Sequence, residues 1–142
     1  MRRGDEVCML VVVQPRLLIV DDSPAFLAAA QAVLENEGMT VVGVASSSHE
    51  ALERIRDLRP DVALVDIDLG DESGFDVARR LAAGADPAPS LIIISSHDGD
   101  EFEDLLEASP ALGFVSKSSL SGDAIRAVLE TNGRRSSSSR GT

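Results

Sequence analysis

Val62-Ala63-Leu64-Val65-Asp66-Ile67-Asp68 is the stretch that decides the fold. Four apolar residues run straight into an aspartate, and the run is too short to be a helix of its own. A short apolar run closed by a polar break is the pattern of a strand buried on both faces, as in a parallel sheet. Asp66 then stands at the carboxyl end of that strand, the edge at which open α/β sheets bind ligands. An acid placed there is either a turn former or a chemical group.

Toward the N-terminus, Leu17-Leu18-Ile19-Val20 is a similar run, closed by Asp21-Asp22. Ser23-Pro24 then opens a helix, with Ser as N-cap and Pro at the first helical position. Phe26, Leu27, Ala30, Val33 and Leu34 recur at helical spacing up to a stop at Gly38. Thr40 to Ala45 reads as a second strand. One of Ser46-Ser47-Ser48 caps a helix whose apolar face is Ala51, Leu52, Ile55 and Leu58, ended by Pro60. Toward the C-terminus, Asp66 to Ser73 reads as a loop containing Gly70, and Phe75, Val77, Ala78 and Leu81 mark a third helix. After a Gly/Pro-rich loop over residues 83–89, Leu91 to Ile94 form a fourth strand that meets Ser95-Ser96. Phe102, Leu105 and Leu106 predict a fourth helix with an acidic outer face. Gly113 to Ser116 make a short fifth strand ended by Lys117, and Ser121 caps a last helix with Ala124, Ile125, Val128 and Leu129 facing inward.

Five strand–helix units with short connections give a parallel sheet with helices on both faces, because such crossovers are right-handed. This α/β domain is expected over residues 15–132. Residues 1–14 read as an extension outside it, within which Met9 offers an alternative start. From Gly133 the composition collapses to Arg, Ser, Gly and Thr, so 133–142 is expected to be a disordered tail.

A chain of 142 residues with 44% hydrophobic residues suits one domain with a real core. The net charge of -11 argues against general nucleic-acid binding and suits a divalent cation or a basic partner surface. Cys8 is the only cysteine, so no intramolecular disulfide forms, which points to a reducing, cytoplasmic setting. No apolar run reaches the length of a membrane span. Met9 to Val13 is followed by Gln14-Pro15-Arg16 without a small-residue cleavage site, so it does not read as a signal peptide.

In a parallel sheet the carboxyl ends of the strands share one edge. Asp21-Asp22, Asp66, Ser95 and Lys117 therefore converge from distant parts of the chain. Singly each has an ordinary explanation: a capping acid, a loop hydroxyl, a solvated lysine. Together they form a chemical set. Asp22 and Asp66, supported by Asp21, offer hard oxygen ligands for Mg²⁺. Asp66 can also attack a phosphoryl group to form an aspartyl phosphate. Transfer then needs charge stabilisation on the phosphoryl oxygens, which Mg²⁺, the Lys117 ammonium and the Ser95 hydroxyl could supply.

With these residues in place the chain resembles a two-component response-regulator receiver domain. The matching motifs are Leu-Ile-Val-Asp-Asp-Ser (Leu18–Ser23), Leu-Val-Asp-Ile-Asp-Leu (Leu64–Leu69), Ile-Ile-Ser-Ser-His-Asp (Ile93–Asp98) and Gly-Phe-Val-Ser-Lys (Gly113–Lys117), within coverage from about Arg16 to Glu130. The resemblance implies a flavodoxin-like doubly wound five-stranded sheet, order 2-1-3-4-5. It implies that Asp66 accepts phosphate from a sensor histidine kinase or phosphotransfer protein. Asp21, Asp22, Asp66 and the backbone carbonyl of Asp68 would bind Mg²⁺, and Lys117 a phosphoryl oxygen. Ser95 would swing toward the phosphate and Phe114 turn inward, remodelling the face of the fourth helix, fifth strand and fifth helix for an output protein. A homodimer through that face stays open.

The chain also departs from the family pattern. Ser118 stands where a proline often follows the lysine, leaving the geometry of that loop to be established. Gly70-Asp71-Glu72-Ser73-Gly74 replaces the usual Pro-Gly after the acceptor. Glu101, Glu103, Asp104 and Glu107 make the fourth helix acidic, as a solvated face or for a basic partner. His97 and Asp68 lie where they could tune the lifetime of the phosphate. Two rival readings remain. Asp66-Ile67-Asp68 resembles the Asp-x-Asp motif of haloacid-dehalogenase-like phosphatases, although in those the paired acids come last in the chain rather than first. A receiver-shaped adaptor needing no phosphorylation is the other, although the phosphorylation residues are all present. The residues after the last helix are too few for a DNA-binding domain.

Overall fold

The structure is a computed structural model that describes residues 15–96 and 103–130. Its main sheet has five parallel strands: β1 (Arg16–Val20), β2 (Thr40–Ala45), β3 (Val62–Asp66), β6 (Ser90–Ser95) and β7 (Gly113–Ser116). They lie in the order β2-β1-β3-β6-β7. Counting only main-sheet strands, this is the expected order 2-1-3-4-5. The higher labels arise from a small antiparallel hairpin, β4 (Asp68–Leu69) with β5 (Glu72–Ser73), inside the segment expected to be a loop.

β3 is buried along its whole length, as a central strand covered on both faces must be. Alternation along the strands sends side chains to two cores. Leu17, Ile19, Val62, Leu64, Ile92 and Ile94 pack with Leu27, Ala30 and Leu34 of α1 (Pro24–Asn36) and Ile125 of the last helix, α5, helical over residues 122–130. Leu18, Val20, Ala63, Val65, Leu91 and Ile93 pack with Ala51 and Ile55 of α2 (Ser48–Leu58) and with Phe75, Val77, Ala78 and Leu81 of α3 (Gly74–Gly84). Two helices therefore cover each face.

The expected caps form. Ser23 Oγ accepts from the Phe26 amide at 3.2 Å, Ser47 Oγ from Glu50 at 3.1 Å and Ser121 Oγ from Ala124 at 3.1 Å. Gly38 ends α1 at φ +90°, a conformation that side chains resist. Two apolar assignments need correction. Val33 is 44% exposed, because α1 buries only the stripe of Leu27, Ala30 and Leu34. The fourth helix, α4 (Glu103–Glu107), buries no residue, and its Leu105 is 49% exposed. Among the described residues of α4, Leu106 alone leans on the α2/α3 core, while Leu105 faces solvent. Phe102, the extension 1–14 and the tail 133–142 lie outside the described residues.

Candidate functional site

The site lies at the carboxyl edge of the sheet. Asp66 is the last residue of β3 and only 5% exposed. Asp21 follows β1 directly and is wholly buried, whereas Asp22 beside it is exposed. The backbone holds this edge together: the Asp21 amide donates to Ala45 at 3.0 Å, and the Ile67 amide to Ile94 at 2.9 Å. Carboxylate oxygens of Asp21, Asp22 and Asp66 all lie within 4.8 Å of one another.

Lys117 immediately follows β7 and sends its ammonium into this cluster. Nζ is 2.6 Å from Asp21 Oδ2 and 3.5 Å from Asp66 Oδ2. Asp21 thus holds the lysine more closely than Asp66 does. Its other oxygen, Oδ1, accepts the Ser23 amide at 2.8 Å. The Lys117 ammonium also rests over the ring of Phe26, 4.3 Å from its centroid.

The charges do not balance: three carboxylates share one ammonium. Burial pushes the Asp66 carboxyl up from 3.8 to about 6, and the Asp21 charge adds to the rise. The Lys117 charge, the Asp68 amide and the Lys117 hydrogen bond limit it. For Lys117, burial acts downward, but the hydrogen bond to Asp21 and the charges of Asp66 and Asp21 outweigh it and hold the ammonium above its usual range. A compact set of hard anionic oxygens, one of them open to solvent, fits an oxygen-seeking divalent cation.

The remaining expected residues fall as follows. Ser95 is buried at the end of β6, one residue beyond the Asp66–Ile94 pair and opposite Ser116. Phe114 is half-buried in β7, paired with Ile93 and packed against the α2/α3 core. Asp68 pairs with Ser73 in the hairpin, its side chain exposed and its amide directed at Asp66. His97 lies outside the described residues. The Lys117–Ser118 bond is trans, and Lys117–Ser119 form a 3₁₀ turn with Ser116 Oγ and Ser118 Oγ 2.9 Å apart.

Sequence reasoning passed over three features. Gly74 packs so closely that a methyl group there would collide with the Asp66 carbonyl and sit 2.6 Å from Ile67 Cα. Its amide donates to Ile67 at 2.6 Å, and Ser73 caps α3 through the Phe75 amide at 3.2 Å. Ser followed by Gly just before a helical apolar pattern was the available signal. The Gly70 amide donates to Asp22 Oδ2 at 3.1 Å with φ +62°, tying the hairpin turn to the acidic pair. Lys117 is also the only lysine among thirteen Lys and Arg residues, a count that singles it out.

The family model of the response regulator receiver domain matches residues 17–130. The chain belongs to the response-regulator receiver family. This receiver is 41% identical over 96 residues to protein-glutamate methylesterase/protein-glutamine glutaminase 5 of Myxococcus xanthus, covering 67% of this chain and 27% of that one. It is 28% identical over 114 residues to the response regulator GacA of Pseudomonas viridiflava, covering 80% and 53%. The receiver thus spans about half or less of the length of these curated relatives. Among solved structures it is similar to the signal receiver domain of a modulated diguanylate cyclase from Desulfovibrio desulfuricans G20, with TM-score 0.68, 34% identity and coverage of 84% and 93%. A CheY-like receiver domain protein from Methanospirillum hungatei JF-1 superposes with TM-score 0.68 at 25% identity, covering 88% and 98%. No helix among the described residues of the receiver is long and apolar enough to cross a membrane.

Proposed function

We propose that this receiver accepts a phosphoryl group on Asp66 from a phosphohistidine of a sensor kinase or phosphotransfer protein. The observation that carries the reading is the meeting of Asp21, Asp22 and Asp66 within 4.8 Å with the Lys117 ammonium 3.5 Å from Asp66. An Asp66 oxygen attacks the phosphorus, and the P–N bond of the donor breaks. Its electron pair stays on the imidazole nitrogen, which takes up a proton. Lys117 binds a phosphoryl oxygen and offsets its charge, and the Ser95 hydroxyl donates to another. Asp21, Asp22, Asp66 and the Asp68 backbone carbonyl would hold Mg²⁺. The metal, when bound, supplies charge neutralisation of the phosphoryl oxygens.

The new dianion at the sheet edge then biases β7 and its neighbours through Ser95 and Phe114, and an output protein reads the altered face. Residues 15–132 form the receiver domain on this reading, with 1–14 an extension and 133–142 a tail. The chain acts as a phosphoacceptor in a cytoplasmic relay rather than as a turnover enzyme. The exposed side chain of Asp68 does not favour the phosphatase reading, in which it would be the general acid at the site.

Intact-protein mass spectrometry after incubation with acetyl phosphate and Mg²⁺ tests this. One alkali-labile phosphate is expected on the wild type and none on Asp66→Asn. Equal labelling of Asp66→Asn would move the acceptor elsewhere. Sustained turnover of p-nitrophenyl phosphate would favour the phosphatase.

A further inference from the structure

We propose that Phe26 is a positioning residue for Lys117, its ring face holding the ammonium against Asp21 and Asp66. The proposal rests on the phosphoacceptor reading above. A lysine stem is flexible and its ammonium lacks the fork geometry that would lock an arginine in place. Here the ammonium meets three neighbours: Asp21 at 2.6 Å, Asp66 at 3.5 Å and the centroid of the Phe26 ring at 4.3 Å.

The ring is itself held. Phe26 is half-buried in the first turn of α1, and its amide donates to Ser23 Oγ at 3.2 Å. The Ser23 amide in turn donates to Asp21 Oδ1 at 2.8 Å. Acid, cap and ring therefore form one short chain that closes on itself at Lys117. A shift of any member moves the ammonium relative to Asp66. With a side-chain exposure of 20%, Lys117 is partly shielded from water, which strengthens its attraction to an aromatic face. Beside the ring lies a groove of about 260 Å³ lined by Ala29, Ala30, Val33 and Leu120, which leaves room for a larger aromatic side chain.

The full chain carries one lysine, so labelling with ¹³C,¹⁵N-lysine gives a single side-chain signal set. The ε-methylene protons are expected upfield in the wild type, at unshifted positions in Phe26→Leu and upfield again in Phe26→Tyr. Loading by acetyl phosphate with Mg²⁺ is expected to slow roughly fivefold in Phe26→Leu and to recover in Phe26→Tyr. Unshifted wild-type protons would overturn the proposal. So would equal slowing in the leucine and tyrosine variants, or an unchanged rate in a folded Phe26→Leu protein. If the wild type takes no phosphate, the phosphoacceptor reading fails and takes the kinetic role of Phe26 with it. The proton shift alone then decides whether the ring holds the lysine.

Discussion

Asp66 is held where its own negative charge is poorly tolerated. Below about pH 4 its carboxyl is protonated in both the folded and the unfolded chain, and it contributes nothing to the pH dependence. Between about pH 4 and about 6 only the folded chain keeps the proton. Above that both forms are ionised and the folded state carries the full cost. Stability therefore falls as pH rises through this window, because the native state binds more protons. The rise from 3.8 to about 6 corresponds to about 3 kcal/mol. Metal-free Asp66→Asn is accordingly expected to be more stable than wild type at pH 7, by about 1–3 kcal/mol, with the gap closing by pH 4. Urea titrations at the two pH values measure it, and a gap that is equal at both would contradict the assignment. That Asp21, Asp22, Asp66 and Lys117 meet at one sheet edge was legible in the sequence, since each ends or closely follows an apolar run. Their partners were not. That Lys117 sits closer to Asp21 than to Asp66, and over Phe26, depends on rotamers and strand offsets that no motif encodes.

At the level of elements, the turn after β3 governs how Asp66 is presented. The hairpin folds back so that Ile67 receives the Gly74 amide, leaving no space for a β-carbon at the start of α3. Gly74→Ala is expected to cost about 1–3 kcal/mol of stability, because the colliding atoms are backbone and cannot rotate away. Loading of Asp66 by a small phosphodonor should slow as well. A chemical-denaturation midpoint unchanged from wild type would show that the turn relaxes freely. The hairpin escaped sequence reading because two-residue strands carry no periodicity, and a run of Gly, Asp, Glu and Ser reads as plain loop. The exposure of Leu105 in α4 escaped for a different reason. Leu105 and Leu106 advertise an apolar face, but only tertiary contact decides whether it is covered, and Leu105 is left in solvent. Strongly periodic α2 and α3 were read correctly because their stripes are backed by a sheet.

As a whole, the described residues form a largely apolar sheet with two cores and a charged carboxyl edge. Ile93→Ala, at the centre of the α2/α3 core, is expected to destabilise by about 2–5 kcal/mol in one cooperative transition. Mg²⁺ binding at the carboxyl edge should raise the thermal midpoint of the wild type and do so much less in Asp22→Ala. Equal shifts in both would place the cation elsewhere on this acidic chain. Strand order was legible because alternating units with right-handed crossovers leave few topologies, and the family motifs select one of them. One consequence of the solitary lysine reaches beyond the chemistry of the site. A lysine-specific protease has a single bond to cut in this sequence, between Lys117 and Ser118. That bond lies in a tight 3₁₀ turn whose lysine is tethered to two acids, so it cannot enter a protease cleft without local opening. Where reclosing outpaces cleavage, the rate of that one cut reports the fraction of time this corner stands open, and whatever fastens it should slow the cut.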